Sequence, residues 1–228
     1  MKKIIAFMLA LLILTGCSPN NAPVEQTPVA SENPAVEIVE EPEEEQLDVP
    51  MTEEEAAAAE AAKAAELEER ARTKSLPVGA FTAPTIDEGT LTESVFAEAD
   101  LTVVNIWATY CAPCKEEMPI LAKLHNELDG VQIVGLILDC TDETDNVIES
   151  QAILAKALME DAGVTYENML LNQDLMDCGF GAVSAVPATI FVDRDGNTVG
   201  QGFYGALDEN GWREAIAERL EIAQARYE

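Results

Sequence analysis

Two cysteines separated by two residues stand in the stretch Trp107-Ala-Thr-Tyr-Cys111-Ala-Pro-Cys114, which follows an apolar run and precedes a helix-like segment. A helix N-terminus presents unpaired backbone N–H groups and the positive end of the helix dipole, so it stabilises a thiolate. Lowered thiol pKa values are typical of Cys-X-X-Cys sites in this setting. We therefore predict that Cys111 is the nucleophile of a reactive dithiol and that Cys114 is the resolving thiol.

The same cysteine spacing occurs in one half of a zinc site. Such a site needs a second close pair of cysteines, or of cysteine and histidine, at metal-ligand spacing. The chain has no second Cys-X-X-Cys pair, and its one histidine is His125. We therefore predict no metal site and no cofactor, and we assign no role to His125.

Two separate segments resemble the thioredoxin superfamily, and within it the membrane-tethered TlpA/ResA-like thiol-disulfide oxidoreductases. Residues 103–119 are similar to that family's strand, active-site turn and first helix. The segment Val186-Pro187-Ala-Thr-Ile-Phe-Val-Asp193 is similar to the loop and strand in which the superfamily keeps a cis-proline facing the dithiol. The resemblance covers residues 79–228. It implies an α/β, thioredoxin-like fold with a central mixed β-sheet flanked by helices.

Apolar patterning predicts elements that agree with this fold. Two continuous apolar runs indicate buried strands, and an Asp-Gly pair indicates a hairpin between two further strands. Three segments have the composition of helices, one of which ends at a glycine cap. The predicted strands are residues 101–108, 131–139, 188–192 and 198–203, and the predicted helices are residues 113–128, 146–163 and 208–225.

Thiol exchange requires a group that takes the proton of the resolving thiol. In the ordinary thioredoxins that this chain resembles, the group that takes this proton is an aspartate six residues before the first cysteine. This chain has Asn105 at that position. The ResA-like pattern places a glutamate three residues after the second cysteine, which is Glu117 here. A carboxyl buried beside thiols should have a raised pKa and exchange protons near neutral pH. The alternative for Glu117 is an ordinary surface charge, as we expect for Glu116.

Four residues are predicted to contact a substrate. In the family that this chain resembles, a cis bond before Pro187 would aim the Val186 backbone at the dithiol, so that an extended substrate segment can pair with it. Trp107 and Tyr110 flank the dithiol in sequence and are predicted to frame the site. The alternatives are a proline that only ends a loop and aromatic residues that only pack.

Two further cysteines depart from the usual family pattern. Cys140 closes the second predicted strand, and Cys178 lies in the segment that leads to the second motif. We predict that they form a second disulfide, as a structural staple or as a redox relay to Cys111. The alternative is two unconnected buried thiols.

The beginning of the chain indicates export and attachment to a membrane. Residues 1–16 form a predicted signal peptide, because two lysines precede an apolar run too short for a spanning helix. Cys17 ends a segment that resembles a bacterial lipobox and is the predicted site of lipidation. Residues 17–50 are predicted to be a disordered acidic tether, and residues 51–74 an Ala/Glu-rich spacer helix that is solvated rather than part of the core.

The formal net charge of −30 argues against binding of nucleic acid, which requires clustered lysines and arginines. The resemblance implies an extracytoplasmic, lipid-anchored disulfide reductase on a bacterial cell membrane. It further implies electron supply from a membrane thiol carrier of the CcdA/DsbD type and delivery to disulfides of exported proteins, with apocytochrome c as one candidate. Two alternatives stay open, which are a Cu(I)-binding module that uses the two cysteines and a thiol peroxidase.

Overall fold

A computed structural model describes residues 52–72, 75–180 and 183–227. The predicted signal peptide, Cys17 and the predicted tether lie outside the described residues. None of the helices in the described ranges is long and apolar enough to cross a membrane.

A five-stranded mixed sheet forms the centre of the domain. Its middle strand β3 is buried along its whole length, as its continuous apolar sequence predicts. Strand β4 pairs with β3 in parallel, and β6 pairs with β3 antiparallel. The spatial order is β5-β4-β3-β6-β7, with β3 at Leu101–Trp107, β4 at Val131–Ile137, β5 at Asn168–Leu170, β6 at Ala188–Asp193 and β7 at Phe203–Tyr204.

Helices cover both faces of the sheet. Helices α2 (Ala112–Glu127) and α5 (Glu209–Ala225) share one apolar core cluster with β3, β4 and β6. The opposite face carries α4 (Gln173–Asp177), a two-stranded sheet and a 3-10 helix, while α3 (Glu149–Asp161) packs near the end of the sheet that holds the cysteines. The small sheet consists of β1 (Thr82–Pro84) and β2 (Thr90–Thr92), and the 3-10 helix spans Glu93–Glu98. The predicted α/β architecture, with a central mixed β-sheet flanked by helices, is confirmed.

Helix α3 begins three residues later than the sequence predicts. The carboxylate of Asp142 accepts hydrogen bonds from the backbone N–H groups of Thr144 and Asn146, at 2.9 and 3.0 Å. These bonds hold the preceding segment in a turn, which competes with helix. The predicted glycine cap at the other end is present, since Gly163 follows α3 with a φ of 71°.

The last hairpin differs more from the prediction. Strand β7 has two residues, and Thr198 makes only an isolated bridge to Val192. The reason lies in Asp193, whose Oδ1 accepts from the backbone N–H groups of Asp195 and Asn197 and closes a tight turn. Arg226, at the end of α5, donates to Asp193 Oδ2 at 2.6 Å, so the turn is fixed to the C-terminal helix.

The Ala/Glu-rich segment forms helix α1 (Glu53–Arg72), and it contacts α5. Its capping box is present, because Thr52 and Glu55 exchange backbone and side-chain hydrogen bonds at 2.9 and 3.2 Å. Leu67 packs against the core cluster of α2 and α5. The helix is therefore mostly exposed, as expected. The contact of Leu67 with the edge of the core was not predicted, because the apolar pattern of this segment is weak.

Candidate active site

The dithiol lies where β3 passes into α2. Strand β3 ends at Trp107, a four-residue turn follows, and Cys111 is the N-cap residue of α2. The Sγ of Cys111 accepts a hydrogen bond from the backbone N–H of Cys114 at 3.2 Å. Because this donor belongs to the first turn of the helix, it favours negative charge on Cys111, as the sequence predicts.

Cys111 and Cys114 are joined by a disulfide bond. Cys111 is 6% exposed and Cys114 is 1% exposed, so the first cysteine is the more accessible of the two. Beside them, Tyr110 is 72% exposed. Of the two cysteines, Cys111 therefore lies nearer to the surface, next to the exposed Tyr110, and the protein interior encloses Cys114.

The second motif lies at the same end of the sheet. Strand β6 begins directly after Pro187, and its first residue, Ala188, pairs with Ile106 near the end of β3. The Val186–Pro187 peptide bond is cis. Val186 is half-buried and packs against the apolar cluster that contains both cysteines. The two motifs that the sequence places 75 residues apart, at Cys111 and Val186, thus meet around the disulfide.

Trp107 differs from its predicted place at the mouth of the site. It is 1% exposed, and its indole N–H donates to Asn168 Oδ1 at 2.9 Å. Asn168 in turn donates to the carbonyl of Tyr166 at 3.0 Å. Trp107 therefore supports the disulfide from within the core, and a direct contact with substrate would require it to leave that position. The sequence could not separate these alternatives, because aromatic residues serve both purposes.

Glu117 lies one turn after Cys114 on the buried side of α2 and is 2% exposed. Its Oε1 accepts a hydrogen bond from the side-chain amide of Asn105 at 2.9 Å, whereas its Oε2 has no partner. Burial raises the pKa of this carboxyl to about 7, although Asn105, Leu207 and Trp212 each favour its charged form. The residue is a buried acid that can exchange protons near neutral pH, and the interpretation as a surface charge fits Glu116, which is exposed.

A further acidic residue supports the active-site turn, and sequence reasoning missed it. The carboxylate of Asp139 accepts hydrogen bonds from the backbone N–H of Thr109 at 3.1 Å and from its hydroxyl at 2.6 Å. Asp139 follows β4 and Thr109 follows β3, so the two strand ends are joined directly before Cys111. The available signal was an acidic residue at the end of the predicted strand 131–139.

The predicted second disulfide is wrong, because Cys140 and Cys178 are both free thiols. Cys140 is fully buried in the cluster that contains Cys111 and Cys114, and burial together with the charge of Asp139 raises its pKa to about 12. Cys178 ends α4 and packs against the cluster on the opposite sheet face, and its pKa is also raised by burial. Sequence separation alone could not tell that the two thiols belong to different clusters.

Metal ligands do not gather in the described ranges, where no group of three or more histidine, cysteine or acidic side chains could hold an ion. Met118, whose thioether is a soft ligand of the kind that Cu(I) prefers, is buried in the same cluster as the two cysteines. His125 accepts a hydrogen bond from the backbone N–H of Ile133 at 3.2 Å and packs edge-on against Tyr166. It is a half-buried residue in the last turn of α2, and it does not belong to the cluster that contains the dithiol.

Comparison with known protein families gives two matches. The AhpC/TSA family matches residues 75–200, and the prokaryotic membrane lipoprotein lipid attachment site matches residues 1–18. Among curated proteins, the thiol:disulfide interchange protein DsbE of Pseudomonas fluorescens biotype C is 32% identical over 162 residues, which are 69% of this chain and 80% of that protein. The thiol-disulfide oxidoreductase ResA of Bacillus subtilis is 32% identical over 98 residues, which are 42% of this chain and 49% of that protein.

Solved structures support the fold. A thiol:disulfide interchange protein of the thioredoxin family from Chlorobium tepidum superposes with a TM-score of 0.54 at 20% identity, and covers 65% of this chain and 98% of its own. The exposed lipoprotein thioredoxin of Streptococcus pneumoniae superposes with a TM-score of 0.50 at 15% identity, and covers 61% of this chain and 99% of its own. At these identities the likeness concerns the fold alone.

Proposed function

Since this chain belongs to the AhpC/TSA family and is a thiol-disulfide oxidoreductase like its interchange relatives, we propose that it reduces disulfides of exported proteins. The observation that carries the proposal is the disulfide at the N-terminus of α2 between Cys111, the more exposed of the two cysteines, and the enclosed Cys114. In the reduced protein, the Cys111 thiolate attacks one sulfur of the substrate disulfide and the other sulfur leaves as a thiolate. A mixed disulfide between Cys111 and the substrate results.

Glu117 is the proposed proton acceptor of the second step. Its carboxylate takes the proton of the Cys114 thiol, and the Cys114 thiolate then attacks the Cys111 sulfur. The bond between Cys111 and the substrate breaks, and the substrate leaves reduced. The products are the Cys111–Cys114 disulfide seen in the structure and a protonated Glu117. Burial of the carboxyl supports this role, because it brings the proton affinity close to what neutral pH requires.

Substrate segments would bind between Tyr110 and the backbone before Pro187. Tyr110 offers an exposed aromatic face next to Cys111. Val186 adjoins the cluster of the two cysteines, so an extended segment could form backbone hydrogen bonds there as an added strand. This arrangement recognises the backbone of a substrate more than its side chains, which suits an enzyme that acts on several exported proteins. Apocytochrome c is one candidate.

The lipid attachment match supports a membrane-anchored protein, and we place the anchor on Cys17 and the enzyme on the extracytoplasmic face. Two ion pairs, Lys63–Glu221 and Arg70–Glu218, run in opposite order along α1 and α5, as in an antiparallel helix pair. Helix α5 ends beside Asp193, which is the end of β6 opposite to Pro187 and the dithiol. Because α1 runs antiparallel to α5, the beginning of α1 points away from the dithiol. The chain that leads to the anchor therefore enters the domain at the end away from the dithiol. A membrane thiol carrier of the CcdA/DsbD type would return it to the reduced state.

A redox titration with mass tagging tests the proposed direction. The protein without residues 1–17 is equilibrated in a series of thiol-disulfide buffers, and its free cysteines are alkylated and mapped. We expect a reversible two-electron couple at Cys111 and Cys114 that is more reducing than about −220 mV. A couple at about −120 mV would indicate an oxidase, and absence of any couple would favour the alternative in which the two cysteines bind Cu(I). Consumption of peroxide by the same protein tests the peroxidase alternative.

Capture of mixed disulfides tests the substrate class. A Cys114→Ser variant cannot complete the second step, so it should hold its substrates on Cys111. The matched control is the variant with both cysteines replaced by serine. Exported proteins with paired cysteines, released from the single variant by reductant and absent from the control, would support the proposal.

A further inference from the structure

The proposed proton acceptor, Glu117, has one unpartnered carboxyl oxygen, and two further unpartnered polar groups lie in the interior close to it. In the described part of the chain, four buried side-chain nitrogen or oxygen atoms have no hydrogen-bond partner. Three of these are Glu117 Oε2, Thr189 Oγ1 and Trp212 Nε1. Buried polar groups in folded proteins almost always find partners, so three in one region require an explanation.

The groups share one face of the central sheet. Thr189 on β6 stands directly opposite Asn105 on β3, and directly opposite residues of an antiparallel pair point to the same face about 5 Å apart. Asn105 is the donor to Glu117 Oε1. Phe191, two residues beyond Thr189 on the same strand, packs in the core cluster that contains Trp212. Thr189 therefore points into the space between the sheet and helices α2 and α5, where Glu117 lies.

Trp212 is held rigidly on the other side of this space. Asp208 caps α5, and the backbone N–H of Trp212 donates to the Asp208 carbonyl at 2.9 Å. The indole ring is fully buried and packs against Phe203 at 5.5 Å between ring centroids. Its N–H can only donate, and together with the Leu207 amide it acts on the Glu117 carboxyl. A fixed donor without an acceptor thus faces a carboxyl oxygen without a donor.

The protonation state of Glu117 decides whether these groups are satisfied. A neutral carboxyl carries a proton on one oxygen, and a proton on Oε2 would face the N–H of Trp212 as a second donor. An ionised carboxylate presents a free acceptor to the same N–H. We propose that the indole N–H of Trp212 and the hydroxyl of Thr189 are the donors that receive Glu117 Oε2 when Glu117 is ionised. Both are positioning residues, since they act through Glu117 and do not touch the substrate.

The role rests on the proposed function, because it concerns the proton that leaves Cys114. Before transfer, the two donors hold the Glu117 carboxylate in place, and Asn105 orients its other oxygen. After transfer, the carboxyl is neutral, and a proton on Oε2 makes that oxygen a weaker acceptor for the Trp212 N–H. The donors therefore favour the form of Glu117 that accepts a proton, and they oppose burial, which favours the neutral form.

Few other charges face this carboxyl. Cys114 lies one turn before it on α2, and Tyr166 faces it from the loop before β5, where burial and the charge of Glu117 raise the pKa of the tyrosine. Tyr166 stays neutral at pH 7, and no lysine or arginine in the described ranges contributes to the pKa of Glu117. Asn105, the Leu207 amide and Trp212 are then the neutral groups that oppose the effect of burial on this pKa, and the Thr189 hydroxyl is the donor that the proposal adds.

The test removes one donor at a time with little change of shape. Trp212 is replaced by 3-benzothienylalanine, which has sulfur in place of the N–H group, and Thr189 is replaced by valine. The pKa of Glu117 is measured by carbon NMR titration of its carboxyl in the protein without residues 1–17, with Glu117→Gln to assign the signal. We expect each change to raise the pKa by about 1. Phe203→Leu, which alters packing against Trp212 but no donor, should leave it unchanged.

The same proteins are compared in the release of substrate from the mixed disulfide, as a function of pH. If Trp212 and Thr189 lower the pKa of Glu117, the midpoint of the pH-rate profile should be higher in each variant than in the unaltered protein. The rate at high pH should be the same in all three proteins. An unchanged Glu117 pKa in both variants would overturn the inference, whatever happens to the rate. A raised pKa with an unmoved rate profile would uphold the donors and refute Glu117 as the proton acceptor.

Discussion

The side-chain amide of Asn105 donates a hydrogen bond to the carboxyl of Glu117 at 2.9 Å, in an interior where neither residue is more than 2% exposed. Asn105 belongs to the central strand and Glu117 to the helix that carries the dithiol. The bond fixes one oxygen of the acid and leaves the other for exchange of a proton. In this chain, an amide on the strand and an acid on the helix therefore occupy the place beneath the dithiol.

Replacement of Glu117 by glutamine should slow the release of substrate from the mixed disulfide. The amide keeps the size of the side chain but cannot accept the Cys114 proton, and loss of a general base costs about 10² to 10⁴ in rate. Stopped-flow measurement with a model peptide disulfide checks this, and the pH profile should lose its midpoint near 7. Glu116→Gln, on the exposed side of the same helix, is the control and should match the unaltered protein.

Glu117 should also make the stability of the oxidised protein depend on pH. The folded protein holds a proton on this group up to about pH 7, whereas the unfolded chain loses it near pH 4.5. The folded state binds more protons between these values, so the free energy of unfolding should fall as pH rises through this window, by at most about 3 kcal/mol.

Urea denaturation at pH 5 and pH 7.5 measures this contribution. The free energy of unfolding of Glu117→Gln minus that of the unaltered protein should be larger at pH 7.5, because glutamine has no charge to bury. Glu116→Gln should show no such change. A difference that is the same at both pH values would contradict the raised pKa of Glu117.

Thr109→Val should destabilise the protein by about 1 to 3 kcal/mol, because it removes the 2.6 Å hydrogen bond to Asp139 inside the active-site turn. Thr144→Val is a matched control, since the Thr144 hydroxyl also bonds to an aspartate, but in an exposed loop. Its loss should cost less than about 0.5 kcal/mol. Equal effects of the two variants in denaturant unfolding would mean that the Thr109–Asp139 bond does not hold the turn.

The oxidised protein without residues 1–17 should contain two free thiols after denaturation, at Cys140 and Cys178. In the native state, iodoacetamide should modify Cys178 before Cys140. Burial and the charge of Asp139 raise the pKa of Cys140 to about 12, and Cys178 is partly exposed. Mass spectrometry of alkylated peptides gives both results, and detection of a peptide pair joined through Cys140 and Cys178 would contradict them.

Much of the site could be predicted because its signals are local. Cys111 and Cys114 share one turn, and Glu117 follows at helical spacing on the same side. The donors that we propose for Glu117 Oε2 could not be predicted in this way. Thr189 and Trp212 lie 72 and 95 residues further along the chain, in segments whose own patterns indicate only a strand and a helix.

The sequence by itself determined the fold class, the dithiol and its position at the beginning of a helix, because these depend on apolar periodicity and on residues a few positions apart. Only the tertiary structure decided that Trp107 is enclosed, that Cys140 and Cys178 stay unpaired, and that Glu117, Thr189 and Trp212 each bury a polar atom without a hydrogen-bond partner. Packing brings together side chains that are distant in sequence, and burial then sets their proton affinities. Neither effect can be obtained from local patterns.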